Sequence, residues 1–448
     1  MYLREIEITN IRALQHVKWR LPDEHKGPGW HVILGDNGSG KSSFLQAVAL
    51  ALIGPAEAPA LRQEFGTWLT LGQSKASIRL EIVPDGFFDH PANRVSGSVL
   101  PERQEAVEAL MVVIEDGGYV QVRANDEAQN GEPSKGLWNM KAPGWFSAGF
   151  GPFRRFEGGD AESAKLFYSN PLLAPHLSMF SEGVALTECL SWLCKLQINE
   201  LSHRRRIGED PKNPVTLGMS GRKLEHLKQF LNKSTLLPDG VVLDEVTTET
   251  VIFRDAFGRE LPVMSLSDGF RTVLSLIFEL FRLMDQVFEP IHLWGGFIKD
   301  PACVDLPGVV LIDEVDAHLH PTWQHRIGAV LTRCFPNIQF IVTTHSPIIC
   351  QAAEGGTVFK LPQPGTDEEA RMLEGNELDR LIYGSVLDAF STTAFDEQAT
   401  RSDAGRKLMD ELADLNIKAL EEGLTPTEKK RQRRLRAILP GCDVPEEK

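Results

Sequence analysis

Long apolar runs, paired cysteines and a signal peptide are all missing from this sequence. None of its apolar stretches approaches the roughly 20 residues that are needed to cross a bilayer. Its six cysteines include no C-x-x-C pair, which argues against a structural zinc site or a disulfide framework. The first residues, M-Y-L-R-E-I, indicate a strand and not a signal peptide. We therefore expect a chain of the reducing cytoplasm that has no membrane partner.

Positive charge, long heptad runs and nuclease-type acidic clusters are also scarce. The formal net charge of −15 argues against a basic surface for nucleic acid over the whole protein, although it leaves room for a local basic groove. The helical region near residues 185–232 is too short for a coiled-coil arm. No acidic metal cluster follows His345, so a nuclease that works with this protein is expected on another chain.

A phosphate-binding loop is the most informative feature that is present. Residues 35–42 read G-D-N-G-S-G-K-S, which fits G-x-x-x-x-G-K-[ST] at every fixed position. An apolar strand at residues 30–34 precedes the loop and a buried helix at residues 44–53 follows it, with Leu45 and Leu52 on one face. The loop N–H groups would bind phosphate oxygens, Lys41 would add a positive charge, and Ser42 would ligate Mg²⁺.

A second segment reads as the other half of the same site. The apolar run at residues 309–312 predicts a buried strand, and Asp313 and Glu314 follow it. Asp313 would hold Mg²⁺, directly or through water, together with Ser42, and Glu314 would orient or deprotonate the attacking water. The alternative is that these carboxylates only cap the next helix. The presence of the phosphate loop favours an ATP site with Mg²⁺.

A third motif, L-S-D-G-F-R at residues 266–271, precedes a helix predicted at residues 271–287. Its N–H groups can form an anion site. A Ser-x-Gly sequence at this position resembles the signature motif of ABC-type ATPases, usually L-S-G-G-Q. The resemblance implies that Ser267 and Gly269 of one protomer contact the γ-phosphate held by another. Asp268 and Phe270 depart from the family pattern, and Ser267 as a simple helix cap is the alternative.

Two further residues resemble elements of the same family. Asp316, just after the acidic pair, resembles the D-loop, and His345, after the strand at residues 339–343, resembles the switch histidine that senses the γ-phosphate. A purely structural histidine is the alternative for His345. His318, His320 and His325 belong to a run that is common in a subgroup of these ATPases and needs no metal.

The opening I-E-I-T-N-I-R at residues 6–12 resembles the start of RecF- and SMC-like ATPases. That resemblance implies that Arg12 lies near the nucleotide phosphates, with a surface arginine as the alternative. Together with D-E-V-D-A-H-L-H-P and T-T-H-S-P, the motifs resemble stand-alone bacterial ATPases of genome maintenance and phage defence, the Septu-type and retron-associated ATPases among them. The resemblance covers about residues 1–84 and 246–350.

The implied fold class is α/β: an ABC-ATPase head with a mixed sheet flanked by helices, an antiparallel β subdomain, a short helical insert and a C-terminal helical segment. The expected domains are residues 1–172 with the phosphate loop, a helical insert at 173–245, a second ATPase lobe at 246–365 and helices at 366–448. The basic run at residues 429–436 is either a solvated helix face or a contact for DNA backbone or a partner.

The implied function is an ATP-hydrolysing switch in which two protomers, or a higher oligomer, enclose ATP and Mg²⁺. It would control contact with double-stranded DNA or a separate effector such as a nuclease, in antiviral defence. A RecF-like repair ATPase is the alternative, and a transporter nucleotide-binding subunit is disfavoured by the N-I-R opening. The catalytic residues would be Lys41, Glu314 and His345. Gln63 and the segment near Phe150 are the candidates for the glutamine loop. The residues expected to bind ATP are Arg12, Gly35, Asp36, Asn37, Gly38, Ser39, Gly40, Lys41, Ser42, Ser43, Ser267, Gly269 and Asp316.

Overall fold

The computed structural model describes residues 1–92, 106–116, 119–124, 133–158, 169–208, 217–238, 240–295, 300–366, 368–384, 403–421 and 423–438. The chain divides into two compact units, Met1–Leu378 and Asp379–Lys448. None of the helices in the described ranges combines the length and apolarity that a membrane span requires.

The described strands, in chain order, are β1 (Tyr2–Ile11), β2 (Leu14–Arg20), β3 (Gly29–Leu34), β4 (Lys75–Val83), β5 (Val107–Asp116), β6 (Tyr119–Ala124), β7 (Ser147–Phe150), β8 (Val242–Val246), β9 (Val251–Arg254), β10 (Glu260–Pro262), β11 (Gly308–Ile312), β12 (Ile338–Thr344), β13 (Thr357–Lys360) and β14 (Arg371–Met372). The described α-helices are α1 (Lys41–Ile53), α2 (Thr187–Ile207), α3 (Met219–Lys233), α4 (Asp268–Val287), α5 (Pro290–Gly295), α6 (Pro321–Cys334), α7 (Pro347–Cys350), α8 (Gly375–Tyr383), α9 (Asp403–Glu421) and α10 (Pro426–Ile438).

The central sheet of the first unit has the strand order β14-β13-β3-β12-β11-β7. Its pairs are parallel except for β13 with β14. Strands β11 and β12 are buried along their whole length, as expected for parallel strands that are covered on both faces. Because parallel strands run in the same direction, the carboxyl ends of β3, β12, β11 and β7 lie at one edge of the sheet.

A five-stranded antiparallel sheet, in the order β2-β1-β4-β5-β6, forms the β subdomain. Helix α1 contacts strands of this sheet and of the central sheet. It is buried at every position except Ser42, Ser43 and Gln46, so its apolar surface extends beyond the single face that the sequence predicted. Packing on both sides fixes the helix that follows the phosphate loop.

The predicted mixed α/β architecture, with its antiparallel β subdomain and short helical insert, is confirmed. In the insert, Glu200 of α2 is buried and accepts hydrogen bonds from the N–H groups of Gly218 (3.3 Å) and Gly221 (2.9 Å) at the start of α3. It also accepts one from Arg204 Nε at 3.0 Å. These bonds satisfy N–H groups that have no partner inside a helix.

The second unit contains the helical hairpin of α9 and α10. Leu412 and Leu435 are buried between these helices, and Arg431 pairs with Glu411 at 2.7 Å. Residues 385–402, which belong to the predicted C-terminal helical segment, lie outside the described residues.

Acid sensitivity is expected from His31 in β3. The ring is fully buried between Thr357 Oγ1 (3.0 Å) and the Gly27 carbonyl (2.9 Å), and burial lowers its pKa to about 3. In the unfolded chain the pKa of His31 is near 6.5, so the unfolded state takes up a proton at a higher pH than the folded state does. The free energy of unfolding therefore falls as the pH drops from about 6.5 toward 3, by about 1.4 kcal/mol per pH unit. In denaturant titrations at several pH values, His31→Gln should flatten this dependence. The exposed control His16→Gln should not, and an unchanged slope in His31→Gln would contradict the prediction.

Candidate nucleotide site

The phosphate loop connects the carboxyl end of β3 to the start of α1. Gly38 and Gly40 have φ values of +83° and +94°, a left-handed conformation that side chains disfavour. A Cβ on Gly40 would lie 2.6 Å from Leu14 Cδ2, so both backbone angle and space require glycine there. Asp36, Asn37 and Gly38 form the exposed tip of the loop, and Ser39 is buried with its hydroxyl unpartnered within the described structure.

Lys41 lies at the mouth of this loop. Its Nζ donates hydrogen bonds to the carbonyl oxygens of Gly35 (2.8 Å) and Asp36 (2.9 Å). Burial lowers the pKa of Lys41, and the carboxylates of Glu314, Asp313 and Asp36 oppose that change. The two predicted halves of the site, 272 residues apart at Lys41 and Asp313, are therefore close enough to interact electrostatically.

The acidic pair follows β11 directly. Asp313 is buried, and Glu314 is half-buried with a φ of +44°, which is uncommon for a residue with a side chain. The next helix, α6, is capped by His320, whose side chain accepts a hydrogen bond from the Thr322 N–H. Asp313 and Glu314 therefore do not cap α6, which was the alternative for them.

Two threonines at the end of β12 hold the acidic turn, which comprises residues 313–316. Thr343 Oγ1 donates to Asp313 Oδ1 (2.5 Å) and accepts from the Glu314 N–H (2.8 Å). Thr344 Oγ1 donates to Asp316 Oδ1 at 2.6 Å. His345 follows at once, with 61% of its side chain exposed and its Nε2 lying 3.6 Å from Asp316 Oδ2. The acidic pair, Asp316 and His345 thus form one connected group.

Arg154 is a site residue that the sequence analysis missed. It follows β7 and is buried, and its guanidinium donates hydrogen bonds to the carbonyls of Asp313 (2.7 Å) and Glu314 (3.0 Å). Burial lowers its pKa to about 10, against the opposing effect of the nearby carboxylates. The glycine- and aromatic-rich sequence G-F-G-P-F-R-R at residues 149–155 was the available signal.

The predicted signature residues lie at the start of α4, close to His318, which follows the acidic residues in the chain. Ser267 is exposed and its side chain makes no capping hydrogen bond. Its hydroxyl therefore does not act as the simple helix cap that was the alternative. A Cβ on Gly269 would lie 3.1 Å from the His318 carbonyl oxygen. Phe270 packs edge-to-face on Trp323, with ring centroids 5.2 Å apart. Within the described ranges, no hydrogen bond joins residues 266–271 to the phosphate loop.

Arg12 lies against the first turns of α1. Its Nη1 donates to Gln46 Oε1 (2.7 Å) and contacts Ser43 Oγ (3.4 Å), and its guanidinium stacks on Trp68 at 4.7 Å. Burial lowers its pKa. Arg12 is therefore anchored beside the helix that follows the phosphate loop and is not a free surface residue.

The oxygen ligands of the site suit Mg²⁺. Ser42 offers a hydroxyl and Asp313 a carboxylate, and Mg²⁺ is usually bound by one or two such groups with the remaining positions taken by phosphates and water. No group of three or more His, Cys, Asp and Glu side chains within the described ranges is arranged to hold a metal. Mg²⁺ held by Ser42 and Asp313 would offset the charge of the phosphate oxygens.

The two glutamine-loop candidates have different surroundings. Gln63 donates a hydrogen bond to the Phe180 carbonyl at 3.2 Å. Phe150 ends β7, and its carbonyl accepts from the Asp313 N–H at 2.8 Å. The segment at Phe150 is therefore the one in direct contact with the acidic pair.

Comparison with known proteins identifies the domain type. Residues 5–130 match a family described as "AAA domain", and residues 196–351 match "AAA domain, putative AbiEii toxin, Type IV TA system". Septu protein PtuA of Bacillus mycoides (strain KBAB4) is 25% identical over 363 residues, covering 80% of this chain and 40% of that protein. Both family matches are therefore to AAA domains.

Other relatives match shorter segments. Septu protein PtuA of Bacillus thuringiensis is 37% identical over 162 residues, which are 36% of this chain and 38% of that protein. "Retron Ec83 probable ATPase" of Escherichia coli is 42% identical over 101 residues, which are 22% of this chain and 17% of that protein. The chain thus spans at most 40% of the length of these relatives.

Proposed function

We propose that this protein is an ATP-hydrolysing switch in which two protomers close on ATP and Mg²⁺. Lys41 and the loop N–H groups of one protomer hold the phosphates, Glu314 orients water, and Ser267 of the other protomer contacts the γ-phosphate. The observation that carries the proposal is the exposed Ser267 hydroxyl, which neither caps α4 nor bonds to its own phosphate loop within the described ranges. Helix N-termini bind anions readily, so this one is available to a nucleotide on another copy.

The group around Asp316 supports the coupling of hydrolysis to dimer opening. His345 is exposed, so it can contact a γ-phosphate, and it lies 3.6 Å from Asp316, which Thr344 also holds. Loss of the terminal phosphate at His345 would therefore change the contacts of Asp316. The chain continues from Asp316 to His318, whose carbonyl lies beside Gly269 at the start of α4. We also propose a role in antiviral defence with a separate effector such as a nuclease, in line with the similarity to Septu protein PtuA and to the retron Ec83 probable ATPase.

Contact with DNA is a second candidate function, and α10 favours it. The inner residues of this helix pair with α9 through Arg431 and Leu435. The exposed face carries Lys429, Lys430, Arg433 and Arg434, at the spacing of neighbours on one helix face. In the described residues these four cations have no acidic partner. Their charge is suited to a phosphate backbone, for an effector-bound switch and for a repair ATPase alike.

Glu314→Gln tests the hydrolytic role. Glutamine keeps the size of the side chain but cannot take up a proton, so ATP should bind normally while hydrolysis slows by about 100-fold or more. Light scattering with ATP should reveal a species of twice the 49.8 kDa chain mass. Lys41→Met is the control, and it should lose nucleotide affinity instead. Full turnover by Glu314→Gln would refute the role assigned to Glu314.

Ser267→Arg tests the composite site. The bulky side chain should block ATP-driven pairing of Glu314→Gln protomers, while each protomer binds ATP with nearly unchanged affinity. Ser202→Arg, the same change at an exposed position of α2, is the matched control and should pair normally. If folded Ser267→Arg protein loses ATP binding, or still forms the ATP-dependent dimer, the cross-protomer geometry is wrong.

The charge of α10 gives a salt-dependence test. Each phosphate contact contributes about 0.9 to the slope of log affinity against log salt, so Arg433→Gln with Arg434→Gln should reduce the slope for short duplex DNA by about 1.8. The control is Arg254→Gln with Arg259→Gln. It removes the same charge from exposed arginines that already pair with Asp244 and Asp255. An equal slope in the α10 variant and in wild type would exclude this helix from DNA binding.

A further inference from the structure

The buried guanidinium of Arg154 contacts main-chain carbonyls of the two turns that follow β7 and β11. Nη1 donates to the oxygens of Gly151 (2.8 Å) and Asp313 (2.7 Å). Nη2 donates to the oxygen of Glu314 (3.0 Å) and lies 3.5 Å from that of Val315. The side chain therefore joins the turn after β7 to three successive peptide groups at the acidic turn.

The backbone of Glu314 needs such support. Its φ of +44° places a residue with a long side chain in the left-handed region, a strained conformation that persists only where neighbours enforce it. Its N–H is bonded to Thr343 Oγ1 and its carbonyl to Arg154 Nη2. Both peptide groups of Glu314 are thus fixed, which sets the direction of its Cα–Cβ bond.

The chemistry of arginine explains why this residue type occupies the position. A planar guanidinium presents parallel N–H groups that can bond to neighbouring carbonyls at once, whereas a lysine ammonium is a compact point charge on a more flexible stem. The positive charge of Arg154 also interacts with the carboxylates of Asp313, Glu314 and Asp316 without forming an ion pair with any one of them within the described structure.

We propose that Arg154 is a positioning residue for ATP hydrolysis: it holds the left-handed backbone of Glu314 so that the carboxylate faces the attacking water. This inference rests on the proposed function, in which Glu314 orients that water. It predicts that Arg154 affects turnover through Glu314 and contributes little to nucleotide affinity, because its contacts are to the acidic turn and to Gly151.

Arg154→Lys tests this role. Because a misplacement of about 1 Å can cost a factor of 10², kcat should fall by about 100-fold. The affinity for a non-hydrolysable ATP analogue should stay within about threefold, since ground-state binding does not depend on Glu314. Arg155→Lys is the matched control: this neighbouring arginine is exposed and contacts the carbonyls of Gly158 and Glu182, both at 3.4 Å. Its kcat should equal that of wild type.

A double variant separates positioning from general damage. If Arg154 acts through Glu314, Arg154→Lys should not lower the residual rate of Glu314→Gln any further. Thr343 fixes the other side of Glu314, so Thr343→Val should reproduce the loss in kcat and Thr343→Ser should restore it. This second pair keeps the test decisive if Arg154→Lys fails to fold, which thermal unfolding would reveal.

The outcomes distinguish the two proposals. Wild-type protein that does not hydrolyse ATP would overturn the proposed function and this inference with it. Wild-type hydrolysis with an unchanged kcat in folded Arg154→Lys, or losses that multiply in the double variant, would overturn the role of Arg154 alone. If Arg154→Lys cannot be folded, full activity of Thr343→Val would overturn the role of Arg154.

Discussion

The parallel arrangement of β3, β12, β11 and β7 is the constraint on which the site depends. Each of these strands delivers a functional segment at its carboxyl end: the phosphate loop, His345, the acidic pair and the turn that contains Arg154. Parallel pairing requires long crossover connections, so these segments are far apart in the chain. A shift of one strand by a single residue would turn its side chains to the other face and separate the parts of the site.

Strand β12 lies between the two halves and connects them. Its last two residues, Thr343 and Thr344, bond to Asp313 and Asp316, and the chain then enters His345. A hydroxyl can donate and accept at once, which lets Thr343 bond to a carboxylate and to the next N–H of the same turn. On the proposed mechanism, His345 senses the terminal phosphate. It directly follows Thr344, which is hydrogen-bonded to Asp316 of the acidic turn.

The structure also separates the rigid parts of the site from those that are open to a partner. Lys41, Asp313 and Arg154 are buried, and α1 is packed between two sheets. Ser267 and His345 are exposed. In the proposed switch, the buried residues keep their geometry through the cycle, and the exposed ones gain and lose contacts with nucleotide and with the second protomer. This division is favourable because preorganised groups need no rearrangement when ATP reacts.

The sequence by itself determined the elements whose chemistry is local. A glycine-rich loop before Lys41 and Ser42, an apolar strand before Asp313, and helical periodicity after Ser267 each depend on neighbouring residues, so their nature could be predicted. The predicted helix and strand positions at residues 30–34, 271–287 and 309–312 match β3, α4 and β11 closely. Only the tertiary structure decided the contacts of Arg154 and Thr343 and the burial of α1 on both sides. These depend on contacts between distant residues, such as Arg154 and Asp313, which are 159 positions apart. Local patterns carry no information about which distant carbonyl a buried donor will meet.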